Sequence, residues 1–343
     1  MHTTEAKELY CGADLHANNV CLAVCDQDGK RVIERRVRAT LEAVNRVLEP
    51  YWPRMRSMAV ESTFNWYWLV DGLREQGRPI RLANPAKMEQ YRGLKATDDQ
   101  SDAVWLAEQQ RLGILPESYI YPKEERSIRD ALRRRQMFVR QRTQSLLSLE
   151  ALFARHGMAI PKSQELKGWT LAQIRAVGLD AFTELQITTL LDSIRRSDAL
   201  ARMIERKILG HIKPTDSFRR IQLVPGIGPV LGMTILLESG EFTRFPSAGD
   251  YASYCRTVKS VRTSNQKQKG RNNTRNGNPY LIWAYIEAAT AAARFYPRIR
   301  TWYERKKSRR NTAVAKKALA CKLAKAVWHV MNAEDYNERM LFG

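Results

Sequence analysis

The chain has 343 residues, 44% of them hydrophobic, with 57 Lys plus Arg against 36 Asp plus Glu and a formal net charge of +21. That length holds two or three domains with proper cores, and that apolar content excludes a disordered chain. No apolar run reaches the roughly 18 residues a membrane-spanning helix needs, and the N-terminus lacks the apolar core of a signal peptide, so a cytoplasmic protein is expected. The five cysteines (Cys11, Cys21, Cys25, Cys255 and Cys321) are scattered and form no CxxC pair, which argues against a disulfide framework and a structural zinc site. An excess of Lys and Arg with a pI near 10.0 most often means nucleic acid, bound through phosphate contacts and counterion release. An anionic membrane surface is the weaker alternative.

Residues 9–25 read as a buried strand, a short turn and a second strand. Asp28-Gly29 marks a hairpin turn, and Val32 to Val37 form a third strand, so the chain opens as an antiparallel meander. Asp14 sits near the end of the first strand, where a carboxylate among apolar neighbours is costly unless something pairs with it. A turn-forming Asp beside Asn18 and Asn19 is the plainer reading. A helix from Leu41 to Tyr51, a buried strand from Met55 ending in Glu61, a helix over Trp66 to Glu75 and a strand over Pro79 to Ala83 follow, then a short helix over Lys87 to Tyr91. Strands followed by strand–helix alternation predict a mixed sheet flanked by helices, with sites at strand ends.

Acids then gather where a helix begins, in Asp98-Asp99-Gln100-Ser101-Asp102. Asp99 and Asp102 are three apart and Asp98 and Asp102 four apart, so either pair shares a helix face. Two carboxylates on one face repel unless a cation lies between them, and hard oxygen ligands suit magnesium. The alternative is a capped helix, with Thr97 or Asp98 as cap and acids favoured by the macrodipole. Asp14, Glu61 and this group all fall at predicted element ends. Four carboxylates converging there would hold two metal ions for phosphate chemistry.

From about Glu124 to His156 a long basic helix is expected. Arg126, Arg129, Arg133, Arg134, Arg135, Arg140 and Arg142 are opposed between Arg126 and Arg142 only by Asp130. A solvated helix face is the usual meaning of a charge run, but this imbalance favours a phosphate-facing surface. Further helix is expected over Leu166 to Leu209. In the segment from Ile221 to Glu238, Gly226-Ile227-Gly228 opens an apolar helix in the manner of a helix–hairpin–helix element, whose glycines let backbone amides approach a phosphate. A packed turn is the alternative. A helix starts at Phe245-Pro246-Ser247 and runs to about Tyr254. Residues 256–277 carry seven basic residues and no acid, among them Arg262, Lys267, Lys269, Arg271 and Arg275. That composition suits a loop beside phosphate. Ser264, inside it, is either a turn residue or a nucleophile toward phosphorus with cationic neighbours. Long helices close the chain over Pro279 to Phe295 and Ala313 to Met331, with a basic cluster at residues 305–310 between them.

In this order the pieces resemble the transposases of insertion-sequence family 110, with its 1111 subgroup. The resemblance rests on Gly12-Ala13-Asp14, Val60-Glu61-Ser62-Thr63, Asp99-Gln100-Ser101-Asp102-Ala103, Pro225-Gly226-Ile227-Gly228-Pro229, and Ser264-Asn265 followed by Arg275-Asn276-Gly277-Asn278. Asn265 stands where that family usually has Gly, and Pro279-Tyr280-Leu281-Ile282 where Leu-Arg is common. The resemblance implies an α/β plus all-α chain. Residues 1–122 would form a RuvC-like (RNase H-fold) domain with a DEDD tetrad, 123–215 a region of long basic helices or coiled coil, and 216–343 a mainly helical transposase domain. It further implies magnesium, with manganese as a substitute, held by Asp14, Glu61, Asp99 and Asp102. It implies a covalent phosphoserine link through Ser264, donor and target DNA chosen by a structured bridge RNA, and a dimer or tetramer. Two other readings stay open: a RuvC-like nuclease that hydrolyses without the serine, and a non-catalytic nucleic-acid-binding protein on the same scaffold.

Overall fold

A computed structural model describes residues 7–88, 102–159, 161–211, 215–258, 261–264, 267–271, 276–332, 336–337 and 342, with the backbone alone for 261–264 and 267–271. The chain divides into two compact units, one of Met1–Lys123 with Arg271–Asn276 and one of Glu124–Gly270 with Gly277–Gly343.

The first unit contains β1 (Leu9–Leu15), β2 (Asn19–Asp26), β3 (Arg31–Arg38), α1 (Leu41–Leu48), β4 (Met55–Glu61), α2 (Tyr67–Glu75), β5 (Ile80–Ala83), α3 (Pro85–Met88) and α4 (Asp102–Arg111). Its sheet has the order β3-β2-β1-β4-β5. The meander β1-β2-β3 is antiparallel, while β4 lies parallel to β1 and β5 parallel to β4. This is the expected mixed sheet with helices. The central strands β1 and β4 are buried almost throughout, whereas the edge strand β3 carries Arg31, Glu34, Arg35, Arg36 and Arg38, charges that blunt an open edge. One face of the sheet packs on α1 and α2 through Leu9, Cys11, Leu15, Val44, Leu69 and Leu73. The helix expected to run from Leu41 to Tyr51 stops at Leu48, and a 3-10 turn over Trp52–Arg54, with Pro53 inside it, leads into β4. The short helix expected over Lys87 to Tyr91 overlaps α3 at Lys87 and Met88, and its last three residues lie outside the described residues.

The second unit begins with α5 (Lys123–Arg155), α6 (Ser163–Leu166), α7 (Leu171–Arg175) and α8 (Ala181–Leu209). The helix expected over Leu166 to Leu209 is thus divided among α6, α7 and α8. Thr170 closes a capping box with Gln173, Asp180 caps α8, and Gly178 turns the chain at φ +76. Cap chemistry and a left-handed glycine override the apolar periodicity here. α5 and α8 lie antiparallel: Leu149, Leu152 and Phe153 meet Ile187, Leu191 and Ile194, while Leu132 meets Ile208 at the far end. The rest comprises α9 (Asp216–Ile221), α10 (Pro229–Ser239), α11 (Ala248–Tyr254), β6 (Val261–Ser264), β7 (Lys267–Arg271), α12 (Pro279–Phe295), α13 (Pro297–Arg309) and α14 (Thr312–Met331). The alanine-rich faces of α12 and α14 pack closely around Tyr251, Tyr285 and Leu319. The buried phenols are satisfied in a chain, Ser239 Oγ to Tyr251 OH at 2.8 Å and Tyr251 OH to Tyr285 OH at 2.7 Å. Among the described residues no helix is long and apolar enough to cross a membrane.

Candidate active site

Side chains alternate across a strand, so the residues of β1 that leave the α1/α2 core face the other side of the sheet: Gly12 and Asp14. Register does the same for the neighbours. Cys21 and Ala23 of β2 stand opposite Asp14 and Gly12, and Ala13 pairs with Val60, which sets Ala59 and Glu61 of β4 on the same face. The floor is thus made of small residues with acids at its end. α4 lies on this floor, with Leu106 against Ala59 and Ala83. A Cβ at Gly12 would fall 1.9 Å from the carbonyl oxygen of Ala103 and 2.7 Å from the amide nitrogen of Ala107, so helix and strand touch backbone to backbone there. Further along, Gln110 Nε2 donates to the Cys11 carbonyl at 2.5 Å. Because Asp102 directly precedes Ala103, docking α4 on Gly12 delivers its first carboxylate to the end of β1 and β4 where Asp14 and Glu61 stand.

The electrostatics agree with that placement. The Glu61 carboxyl is held above the ordinary range, first by burial and then by the negative charges of Asp14 and Asp102. Glu61 and Asp14 are half-buried and Asp102 is exposed. Three hard oxygen donors that repel one another fit a divalent cation, which would remove the conflict. Asp99 and Asp98 lie outside the described residues, so the structure brings together three of the four predicted acids.

Two neighbours escaped the reading of the sequence. His16 Nε2 lies 3.2 Å from Asp14 Oδ2. Asn65 Nδ2 donates to the His16 carbonyl at 2.9 Å and its Oδ1 accepts from Thr63 Oγ1 at 3.0 Å, which ties the loop after β4 to the β1–β2 turn. His16 was findable, two residues beyond Asp14 at strand spacing; Asn65 was not, because its role depends on a contact 49 residues away.

The basic helix needs correction. Arg129 and Arg133, read as phosphate-facing, both bind Glu238 of α10, a side chain only 2% exposed. Arg129 is itself buried. Arg135 pairs with Glu205 at 3.0 Å and Arg142 with Asp198 at 2.5 Å. The opposing acids come from α8 and α10, so counting charges within one helix overstated its free cation surface. Arg134 and Arg140 are exposed on that helix. The glycines of the expected helix–hairpin–helix element also divide. Gly226 has φ +81, and a Cβ there would lie 2.1 Å from the Ala288 carbonyl oxygen, so it serves close packing against α12. Gly228 begins α10 with open space around it and no side chain capping the helix. The expected serine loop contains a two-stranded sheet, with Arg262 and Ser264 on β6 and Lys267, Lys269 and Arg271 on β7. Arg275 lies outside the described residues.

A mixed five-stranded sheet with acids at the ends of two central strands and at the start of the helix laid across them is a RuvC-like DEDD domain, here joined to a helical unit. Residues 11–157 match the family model of IS110 DEDD transposases, described as Transposase, and residues 218–304 match the one described as Transposase IS116/IS110/IS902 family. Among curated relatives, a "Probable family 20 transposase" of Pseudomonas aeruginosa is 25% identical over 281 residues, covering 78% of this chain and 81% of its own length. The "Transposase for insertion sequence element IS1111A" of Coxiella burnetii is 21% identical over 332 residues, covering 94% and 90%. An "Insertion element IS110 uncharacterized 43.6 kDa protein" of Streptomyces coelicolor is 26% identical over 129 residues, covering 38% and 32%. The chain belongs to the IS110 family of transposases.

Proposed function

We propose that this transposase is an RNA-guided recombinase that cleaves and rejoins donor and target DNA through a covalent link to Ser264. The observation that supports it most is the meeting of Asp14, Glu61 and Asp102 over Gly12, with Glu61 pushed toward protonation by burial and then by its acidic neighbours. A divalent cation would relieve the repulsion within such a set. Asp14, Glu61, Asp102 and Asp99 would hold magnesium, with manganese able to replace it. When bound, magnesium supplies positive charge to the phosphoryl oxygens undergoing transfer.

The serine stands at the end of β6 in a two-stranded sheet of basic composition. Its Oγ attacks the phosphorus, forming the Oγ–P bond as the P–O bond to the leaving deoxyribose oxygen breaks. The serine proton passes to solvent or a nearby base, and the leaving oxygen takes up a proton. A strand hydroxyl from the second duplex then attacks the phosphoserine, which frees Ser264 and rejoins the DNA. Arg262, Lys267, Lys269, Arg271 and Arg275 would steady the phosphate charge, while Arg134 and Arg140 offer cations to nucleic acid. Guidance by a structured RNA and assembly into a dimer or tetramer follow from the family resemblance.

The test is a trapping assay with full-length protein, the RNA from sequence flanking its gene, labelled donor and target DNA, and magnesium. Label should remain on denatured wild-type protein. It should be lost in both Ser264→Ala and Asp102→Asn, while DNA and RNA binding persist. Nicked DNA formed equally by wild type and Ser264→Ala, with no adduct, refutes the serine step and leaves a metal-dependent nuclease.

A further inference from the structure

We infer that Asp14, His16 and Cys21 form a second metal site, one that takes a zinc-class ion and shares Asp14 with the acidic set. The carboxylate oxygen, imidazole nitrogen and thiol sulfur all lie within 4.8 Å of one another. Asp14 and Cys21 are directly opposed in the antiparallel β1–β2 pair, so their side chains emerge side by side on the face that carries Glu61. His16 follows in the turn, and its Nε2 stands 3.2 Å from Asp14 Oδ2. Tetrahedral coordination with bonds of about 2.0 Å needs a nitrogen–oxygen edge of roughly 3.3 Å, which this pair already offers. The turn is also held in place: the His16 amide donates to the Asn19 carbonyl at 2.9 Å, and Asn65 Nδ2 donates to the His16 carbonyl at 2.9 Å.

The donor set determines the ion. Asp14, Glu61 and Asp102 offer only hard oxygens and suit magnesium. Asp14, His16 and Cys21 offer oxygen, nitrogen and sulfur, which favour zinc or cobalt and disfavour magnesium. On binding, the Cys21 S–H proton passes to solvent and the sulfur binds as thiolate; the carboxylate and neutral imidazole complete three ligands. Exposed His16 leaves the fourth position open to water. No CxxC spacing announces the site, because its ligands are brought together by the pairing of two strands.

Since one carboxylate serves both sets, a zinc-class ion bound here draws Asp14 away from the magnesium set. This consequence rests on the proposed function; the site itself does not. The test titrates cobalt(II) alone into the full-length protein and follows thiolate-to-cobalt charge-transfer absorption. Wild type should develop the band and saturate near one ion per chain. Cys21→Ser should lose the band, Asp14→Asn and His16→Ala should weaken binding at least tenfold, and Cys321→Ser should behave as wild type, each variant first shown to melt as a folded protein. A missing band in wild type, or a band that survives Cys21→Ser, overturns the site whatever the strand-exchange activity. Where strand exchange is active, zinc should inhibit it in wild type and much less in Cys21→Ser; equal inhibition of both overturns the sharing of Asp14.

Discussion

Replacing Glu238 by alanine should cost the second unit more stability than any other single change to a charged side chain described in it. The carboxylate is 2% exposed. It accepts from Arg129 Nε at 3.1 Å, from Arg133 Nη2 at 2.8 Å and from Asn278 Nδ2 at 2.7 Å. Removing it takes the Glu238 ion pair from the buried Arg129 guanidinium and the carboxylate contact from Asn278, the cap of α12. Breaking a buried ion pair from one side costs about 3–5 kcal/mol. For a unit of about 200 residues each kcal/mol moves the midpoint by about 2–4 °C, so a fall of about 10 °C is expected by calorimetry at neutral pH. Burial by itself raises the Glu238 carboxyl, but the hydrogen bond from Arg133 and the charges of Arg129 and Arg133, helped by Asn278, outweigh it and hold the group below the ordinary range. A depressed acid stabilises the fold above its unfolded value, near 4.5, and loses that contribution as pH falls through the lower folded value. The gap between wild type and Glu238→Gln should therefore be constant at neutral pH and narrow below pH 4.5. A Glu238→Ala variant melting within about 2 °C of wild type would refute the claim that these arginines depend on it.

Gly12→Ala places a methyl group 1.9 Å from the Ala103 carbonyl oxygen, so α4 must lift from the sheet; strand exchange should be lost and the first unit destabilised by about 1–3 kcal/mol, read by thermal melting and the trapping assay. Gly226→Ala meets both a positive φ of 81 and a backbone atom at 2.1 Å, and should lower the melting point of the second unit by several degrees while leaving that of the first unchanged. Magnesium should raise the melting point of the first unit by relieving the repulsion felt by Glu61, with a stabilisation of about 2.7 kcal/mol at a hundred times its dissociation constant; Asp14→Asn should abolish that response.

Strand alternation and the Asp28-Gly29 turn sufficed to read the sheet of the first unit, because each strand's burial follows from its own residues and the turn between β2 and β3 is local. Asp14 and Glu61 were readable for a related reason: an acid closing an otherwise apolar strand breaks the pattern. The breaks around α6 and α7 were not, since Thr170, Gly178 and Asp180 act through single caps and one left-handed residue, and apolar spacing averages over such features.

The arginines of α5 show where local reading fails. Between Arg129 and Arg142 the helix itself has only Asp130 to oppose its arginines, yet Glu238, Glu205 and Asp198 reach them from 56 to 109 residues away. A run of like charge reports a demand for opposite charge without saying what supplies it. At α5 that demand is met largely from within the fold; at the acidic end of β1 and β4 the described residues supply Glu61 with further negative charge. The two clusters therefore call for opposite experiments. Removing a partner should destabilise the arginine cluster, whereas adding one, a divalent cation, should stabilise the acidic cluster.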